Sequence, residues 1–303
     1  MKIGFIGVGK MGLEMATRLK NAGHEVYCYD VGEQGRWRAA QRGLFVVGDV
    51  AALCAACMPP RVIWVQTPPG EATGEAIAEA AAHCQAGDIL VDGGNSDFRD
   101  SLKRARAVEE KGIHFVDAGV SGGVKGAKEG CGLLVGASQE LFERLTPVFE
   151  ALAAPGGYVR AGNTGAGHFA KMVHNGVEYA IMEAYGEGYE LLSASDIGID
   201  VLATMKAWQG GCSIRSLLLE KMIEALEPDV ALEGVVDFVA DSGMGRWTVE
   251  EGIRLKVPTP AIYAALQARF ASQQDESPNM KSLAALRGTI GGHPVKRKES
   301  KAE

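Results

Sequence analysis

The sequence lacks the features of several protein classes. Its 303 residues carry a formal net charge of −7, and no basic cluster precedes the last few residues. Binding to a nucleic-acid backbone requires clustered lysine and arginine, so we expect no nucleic-acid partner. No apolar run approaches membrane-spanning length, and the opening MKIGFIGVGKMG is too briefly apolar for a signal peptide. We expect no membrane partner, which leaves small molecules and other protein chains.

Cysteine is also sparse, with six residues scattered through predicted strands and helices. The disulfide frameworks of secreted domains place cysteines in loops, so this distribution predicts reduced thiols and a cytoplasmic location. Cys54 and Cys57 form a single C-x-x-C, without a second cysteine or histidine pair at zinc spacing. We interpret the two as packed helix residues and expect no metal site.

Short β-rich runs alternate with helical segments through the first half of the chain. This alternation predicts a mostly parallel, doubly wound sheet of the Rossmann type, with helices on both faces. From Gly165 onward only helical patterns remain, broken by glycine and proline. The predicted strands are KIGFIG, EVYCYD, LFVV, RVIWVQT, DILVDGG, IHFVDA, GLLVGA and YVRAG.

The predicted fold class is therefore α/β, with a Rossmann-type sheet followed by an all-α domain. A chain of this length more readily forms two domains than one. We predict a dinucleotide-binding domain over residues 1–163 and an all-helical domain over residues 164–286. The segment 287–303 ends in polar and charged residues and is predicted to be a C-terminal tail.

A glycine motif stands between the first predicted strand and the first predicted helix. In Gly7-Val8-Gly9-Lys10-Met11-Gly12 the glycines permit a tight turn, a close approach to a pyrophosphate, and close packing of helix on strand. Asp30 ends the second predicted strand, at the spacing of a carboxylate that binds ribose hydroxyls. The motif predicts a dinucleotide cofactor, and Asp30 favours NAD because a carboxylate repels the 2′-phosphate of NADP. Arg36 and Arg38 leave NADP as the alternative.

Polar residues also follow later strands, where the loops of such a sheet face the ligand crevice. Thr67 ends RVIWVQT, Asn95 lies in the loop after DILVD, and Ser121-Gly122-Gly123 follows IHFVDA. We predict that Thr67 and Asn95 bind the cofactor. Asn95 and Ser121-Gly122-Gly123 offer backbone amides and small polar side chains where a sugar acid could bind.

The segment KMVHNGVEYAIMEAYGEGYELL, residues 171–192, is typical of a helix with two different stripes. Residues at i, i+3, i+4 and i+7 lie on one helical face. The polar stripe consists of Lys171, His174, Asn175 and Glu178. The apolar stripe consists of Val173, Val177, Ile181 and Ala184. We expect the helix to pack through the apolar stripe, which leaves the polar stripe for a ligand.

Six motifs occur in the order found in decarboxylating 6-phosphogluconate dehydrogenases, and nearly the whole chain resembles the short form of that family. The string K-M-V-H-N-G-x-E-Y is the most specific, because relatives that oxidise simpler β-hydroxyacids share its lysine but not the whole string. The motifs are DGGNSDFRDS, GVSGG, GAGHFAKMVHNGVEY, GCSIRS, GMGRWT and RGTIGGH.

The resemblance implies oxidative decarboxylation of 6-phosphogluconate to ribulose 5-phosphate and CO2, a reaction of the pentose phosphate pathway, with reduction of NAD. It implies that Lys171 accepts the proton of the C3 hydroxyl and later returns it to the ketone oxygen. Glu178 then protonates C1 of the enediol, while Asn175 and His174 orient the hydroxyls and the nicotinamide side. No metal is required, because oxidation itself creates the electron sink.

The resemblance also implies how the substrate phosphate is bound, and that the helical domain serves substrate binding and dimerisation. Cations and well-placed donors are required at a phosphate. The implied residues are Tyr179, Arg246, Thr248 and Arg269, joined by Arg287 and His293 from the tail of a partner subunit. A homodimer or a larger homo-oligomer follows from the shared tail.

Four residues depart from the long enzymes of the family. Arg246 replaces a common lysine, and Val124-Lys125 replaces an acidic pair in the substrate loop. Asp30 stands where NADP-dependent members carry an Asn-Arg pair, which favours NAD.

Two other functions share parts of this sequence pattern. A β-hydroxyacid dehydrogenase or reductase would have the first domain and Lys171, but it would have no use for cations such as Arg246, Arg269 and Arg287. A non-catalytic dinucleotide sensor would tolerate the loss of Lys171 or Glu178, and both residues are present.

Overall fold

The computed structural model describes residues 1–291 and 293–297. The chain divides into two compact units, one of residues 1–175 and one that begins at Gly176. Strands occupy the first unit, and helices alone follow it in the described part of the chain. The predicted α/β class, with a Rossmann-type sheet before a helical domain, is confirmed.

The first unit contains one sheet, which has eight strands within the described residues. The strands are β1 (Lys2–Ile6), β2 (Glu25–Tyr29), β3 (Phe45–Val46), β4 (Val62–Val65), β5 (Ile89–Asp92), β6 (His114–Ser121), β7 (Cys131–Gly136) and β8 (Ala153–Gly162). Their order is β3-β2-β1-β4-β5-β6-β7-β8, and all neighbours are parallel except β6 and β7. The order in which strands are added to the sheet reverses between the neighbouring strands β1 and β4. In sheets of this kind, ligands bind at this point, beyond the carboxyl ends of the strands.

Helices cover both faces of this sheet, as the apolar strand sequences predict. Along β4, Val62 and Trp64 belong to one hydrophobic cluster, whereas Ile63 and Val65 belong to another. Successive strand residues point to opposite faces, so both faces are buried. The helices of this part of the chain are α1 (Lys10–Asn21), α2 (Glu33–Gln41), α3 (Val50–Ala56), α4 (Glu71–His83), α5 (Phe98–Glu109), α6 (Gly123–Glu129) and α7 (Gln139–Leu152).

The division between the two units lies within α8 (Ala166–Ser193), the helix that carries the predicted polar stripe. Asp117 of β6 caps the start of this helix. Its Oδ1 accepts a hydrogen bond from the Gly165 amide at 2.5 Å, and its Oδ2 accepts one from the His168 amide at 2.7 Å. Burial raises the pKa of Asp117 above its usual range. The cap satisfies two backbone donors that a helix start otherwise leaves unpaired.

The second unit is helical over its described residues. Its further helices are α9 (Val201–Gly211), α10 (Leu217–Leu226), α11 (Met244–Leu255), α12 (Pro260–Ser272) and α13 (Pro278–Gly291). Met205 of α9 and Leu219 of α10 are fully buried in one hydrophobic cluster with Tyr185 of α8. Among the described residues, none of the helices has the length and apolar character needed to cross a membrane.

The predicted domain limits fall close to features of the structure. The boundary at residue 163 comes just before α8, whereas the compact units divide inside that helix. Helix α13 continues to Gly291, so residues 287–291 of the predicted tail are helical. Residues 292 and 298–303 of that tail lie outside the described residues. The domain limits stay a prediction.

One expectation for α8 is wrong, because its apolar stripe is not buried by the part of the chain that the structure describes. All four stripe residues are exposed, namely Val173, Val177, Ile181 and Ala184. The helix instead buries a neighbouring face that contains Met172, Gly176 and Tyr179. A Cβ on Gly176 would lie only 2.7 Å from the Thr248 methyl group of α11, so the absence of a side chain allows this packing.

Candidate active site

The glycine loop connects β1 to α1 and leaves room for a ligand. Gly7 has a φ of +93°. A Cβ on Gly12 would overlap the Gly7 carbonyl oxygen, so the loop and the helix can meet only at a glycine. A Cβ on Gly9 would meet no described atom within 4 Å. Because α1 begins at Lys10 and continues through Met11, its first N–H groups can bind an anion in this space.

The carboxylate of Asp30 lies beside this loop. Its Oδ2 accepts a hydrogen bond from the Val8 amide at 2.7 Å, and its Oδ1 accepts one from the Gly32 amide at 2.8 Å. Arg36 donates to the carbonyl oxygens of Asp30 at 2.5 Å and Val31 at 3.1 Å. An open glycine loop next to a fixed carboxylate fits the adenosine and pyrophosphate parts of a dinucleotide.

Loops after β4, β5 and β6 bring further predicted residues to the same edge of the sheet. The Thr67 hydroxyl lies 2.9 Å from the hydroxyl of buried Thr73. Asn95 bridges to the end of β6, because its Oδ1 accepts from the Val120 amide at 2.8 Å and its Nδ2 donates to the Val120 carbonyl at 3.1 Å. Gly122, with a φ of +115°, precedes α6, which begins at Gly123.

Lys171 meets the last residue of β6. Its Nζ donates to Ser121 Oγ at 3.0 Å and lies 3.4 Å from His174 Nδ1. His174 Nδ1 in turn lies 3.0 Å from Asn175 Oδ1. Lys171 is only 5% exposed, and a Cβ on Gly119 would overlap the Lys171 Cβ. The first three residues of the polar stripe therefore form one cluster around a buried amine.

A second cluster of predicted residues lies in the helical unit, at the start of α11. The Tyr179 hydroxyl lies 3.0 Å from Ser242 Oγ and accepts from the Ser242 amide at 3.1 Å. The Arg269 guanidinium stacks on the Tyr179 ring, 3.6 Å from its centroid. Arg246 donates to Asp241 Oδ2 from Nε at 3.0 Å and from a terminal nitrogen at 2.6 Å. This hydrogen bonding with Asp241 raises the pKa of Arg246.

Two family models match the chain. One, described as the NAD binding domain of 6-phosphogluconate dehydrogenase, matches residues 2–174. The other, described as the 6-phosphogluconate dehydrogenase C-terminal domain, matches residues 167–302. The chain belongs to the 6-phosphogluconate dehydrogenase family.

Individual relatives agree with this family. The protein from Haloferax volcanii named NAD(+)-dependent, decarboxylating 6-phosphogluconate dehydrogenase is 40% identical over 301 residues, which cover 99% of this chain and 100% of the relative. The solved Plasmodium falciparum 6-phosphogluconate dehydrogenase, studied with its cofactor NADP+ and with its substrate, is 26% identical with a TM-score of 0.81, covering 100% of this chain and 67% of that one. The 3-hydroxyisobutyrate dehydrogenase of Mycobacterium tuberculosis shares the fold, with a TM-score of 0.72. It is 24% identical, and the match covers 89% of this chain and 94% of that chain.

Four further residues are predicted from the family resemblance, namely Glu178, Thr248, Arg287 and His293. Glu178 is half-buried on α8, and the buried Thr248 donates its hydroxyl to the Met244 carbonyl at 2.8 Å. Arg287 and His293 are exposed. Within the described residues, neither of these two side chains hydrogen-bonds to Tyr179 or Arg269. The functional assignment of all these residues stays a prediction.

Several polar residues at these sites were not predicted from the sequence. Ser242 and Asp241 directly precede the GMGRWT motif, and a polar residue before a helix was the available signal. Asp117 and Arg104 gave no local signal, because their partners are distant in sequence. Among the described residues, no group of three or more His, Cys, Asp or Glu side chains could hold a metal ion.

Proposed function

We propose that the chain is an NAD-dependent 6-phosphogluconate dehydrogenase that converts 6-phosphogluconate to ribulose 5-phosphate and CO2. The observation that carries this proposal is the buried Lys171 amine, held by Ser121 with His174 and Asn175 beside it. The name of the Haloferax volcanii relative supports the same reaction. The reaction would serve the pentose phosphate pathway, and the scattered cysteines favour the cytoplasm.

Lys171 acts as the general base in this proposal. Burial disfavours the charged ammonium, so the amine can be neutral and accept the proton of the C3 hydroxyl. When bound, the nicotinamide supplies the acceptor for the C3 hydride. The β-keto acid loses its C1 carboxylate as CO2, and the bonding electrons pass into the ketone. Lys171 then returns its proton to the ketone oxygen, which gives the enediol.

Glu178 completes the reaction as the general acid. It protonates C1 of the five-carbon enediol, while Lys171 takes the proton of the C2 hydroxyl. The polar stripe on α8 supports this division of roles, because residues seven apart on a helix share one face. His174 and Asn175, which contact each other, orient the substrate hydroxyls and the nicotinamide side.

The cluster around Tyr179 is the proposed phosphate site. The Tyr179 hydroxyl, Ser242 and the stacked Arg269 guanidinium together offer donors and positive charge, and the N-terminus of α11 follows directly. Arg246 adds a second guanidinium, paired with Asp241. These groups favour a phosphorylated sugar acid over the substrate of a β-hydroxyacid dehydrogenase, which carries no phosphate.

We also infer a homodimer or larger homo-oligomer whose shared tail completes the phosphate site. Helix α13 exposes Met280, Leu283, Leu286 and Ile290, and the apolar stripe of α8 is exposed as well. Apolar surface of this kind is typical of a face that another chain covers. Arg287 and His293 would then reach the phosphate of the partner subunit.

The first prediction concerns the cofactor. Because the Asp30 carboxylate repels a 2′-phosphate, we expect kcat/KM for NAD to exceed that for NADP by about tenfold or more, or roughly 1.4 kcal/mol. Asp30→Asn should narrow this ratio, whereas Glu33→Gln, which changes an exposed acid on α2, should leave it unchanged. Equal or reversed efficiencies in the native enzyme would show that Arg36 or Arg38 captures the 2′-phosphate.

The second prediction concerns the tail. Deletion of residues 287–303 should raise KM for 6-phosphogluconate strongly and leave the affinity for NAD intact, because the glycine loop lies in the first unit. Arg287→Met should act in the same direction, with Lys281→Met on the same helix as the matched control. Sedimentation velocity should report a dimer or larger species for the native chain. An unchanged KM after truncation, or a monomer with full activity, would refute the shared site.

The third prediction separates the base from the acid. Lys171→Met should abolish formation of reduced NAD by several orders of magnitude, because hydride transfer requires the base. Glu178→Gln keeps the shape but removes the acid, so a single turnover should still reduce NAD in a burst. Its steady-state rate should fall on the order of a hundredfold.

Rapid mixing with absorbance detection of reduced NAD measures both variants. Glu187→Gln, an exposed carboxylate further along α8, is the matched control and should behave like the native enzyme. A burst in Lys171→Met together with none in Glu178→Gln would interchange the two roles. Full activity in both variants would mean that the polar stripe does not face the substrate.

A further inference from the structure

We propose that Arg104 is a positioning residue for the Lys171 amine. It fixes Asn95, which in turn fixes Val120 and the adjacent Ser121, the hydrogen-bond partner of the amine. Arg104 lies on α5, outside the loops that carry the proposed cofactor and substrate residues. The expected effect of Arg104 on catalysis rests on the proposed function. The structural part of the proposal concerns only the two loops that Arg104 joins.

Arg104 makes three hydrogen bonds with one nearly buried guanidinium, whose side chain is 12% exposed. One terminal nitrogen donates to Asp92 Oδ2 at 3.0 Å and to Ser96 Oγ at 2.8 Å. The other donates to the Gly70 carbonyl at 2.7 Å. The planar fork of an arginine can reach all three acceptors at once, which a lysine cannot do with the same geometry.

The first two acceptors are Asp92, the last residue of β5, and Ser96 in the loop that follows. Asp92 and Ser96 are fully buried, and the Ser96 hydroxyl lies 3.0 Å from Asp92 Oδ2. Asp92 Oδ1 also accepts from the Gly94 amide at 3.0 Å. The residues on either side of Asn95 are therefore both tied to Asp92, whose buried charge Arg104 balances.

Asn95 itself has a φ of +54°, in the left-handed region, which asparagine adopts more readily than most other residues with a side chain. Its side chain makes two hydrogen bonds with the backbone of Val120, and the next residue, Ser121, accepts from Lys171 at 3.0 Å. A continuous chain of contacts thus leads from Arg104 to the proposed base.

The third acceptor belongs to the loop after β4. Gly70 precedes α4 with a φ of +95°, and the same loop contains Thr67. Gly94 packs against this loop, since a Cβ there would lie 2.9 Å from the Thr67 carbonyl oxygen. Arg104 therefore holds together the two loops that carry Thr67 and Asn95. Among the described residues, it makes no hydrogen bond to the glycine loop proposed to bind the adenosine side.

The kinetic test compares Arg104→Lys and Arg104→Met with Arg106→Met, which removes an exposed arginine from the same helix. We expect Arg104→Met to lower kcat on the order of tenfold to a hundredfold. Arg104→Lys, which keeps the charge and the fold, should recover part of kcat, and Arg106→Met should match the native enzyme. A kcat within twofold of native in both Arg104 variants would overturn the proposal.

A double-variant comparison separates positioning from general destabilisation. If Arg104 acts through Asn95, then Asn95→Ala and the double variant Asn95→Ala with Arg104→Lys should have the same kcat. Independent, multiplicative losses would overturn the proposal. This comparison uses the charge-conserving variant, so it stands even where Arg104→Met does not fold.

Hydrogen–deuterium exchange tests the positioning without activity. Arg104→Lys should raise exchange in residues 93–97 and 118–122 and leave α1 unchanged, relative to Arg106→Met. Unchanged exchange in the two loops would refute the positioning role. An inactive native enzyme with the expected exchange pattern would refute the proposed function alone.

Discussion

The contact of α8 with β6 is the constraint on which the site depends. Asp117, Gly119 and Ser121 alternate along β6, so all three face the same side of the sheet. Asp117 caps the helix, Gly119 allows the close approach, and Ser121 accepts the hydrogen bond of the Lys171 amine. One face of one strand thus caps the start of the helix, sets the distance between helix and strand, and fixes the Lys171 amine.

Lys171 and Tyr179 of α8 are each held by contacts within their own unit. In the first unit, Ser121 contacts the Lys171 amine. In the second unit, Ser242 contacts the Tyr179 hydroxyl while Arg269 covers the ring. Proton transfer at the C3 hydroxyl and binding of a phosphate both require side chains in fixed positions. In both clusters, the proposed functional side chain has a hydroxyl partner from a separate segment of the chain.

The sequence predicted the sheet, the glycine loop and the cluster around Lys171 because each follows from local spacing. Val62–Val65 reads as a short apolar run, and its residues enter the two hydrophobic clusters alternately. The contacts of Arg104 with Asp92 and of Tyr179 with Ser242 join separate segments, so no local pattern reveals them. Periodicity also found the apolar stripe of α8, but it cannot tell whether the chain covers that stripe.

Oxidative decarboxylation by this chain is tested most directly with 6-phosphogluconate labelled at C1, NAD and the native protein. We expect labelled CO2 and reduced NAD to form in equal amounts, with ribulose 5-phosphate as the remaining product. Reduction of NAD without release of labelled CO2 would contradict it, because the chain would then be a simple hydroxyacid dehydrogenase. Absence of any reduction with either NAD or NADP would contradict the assignment of an active enzyme altogether.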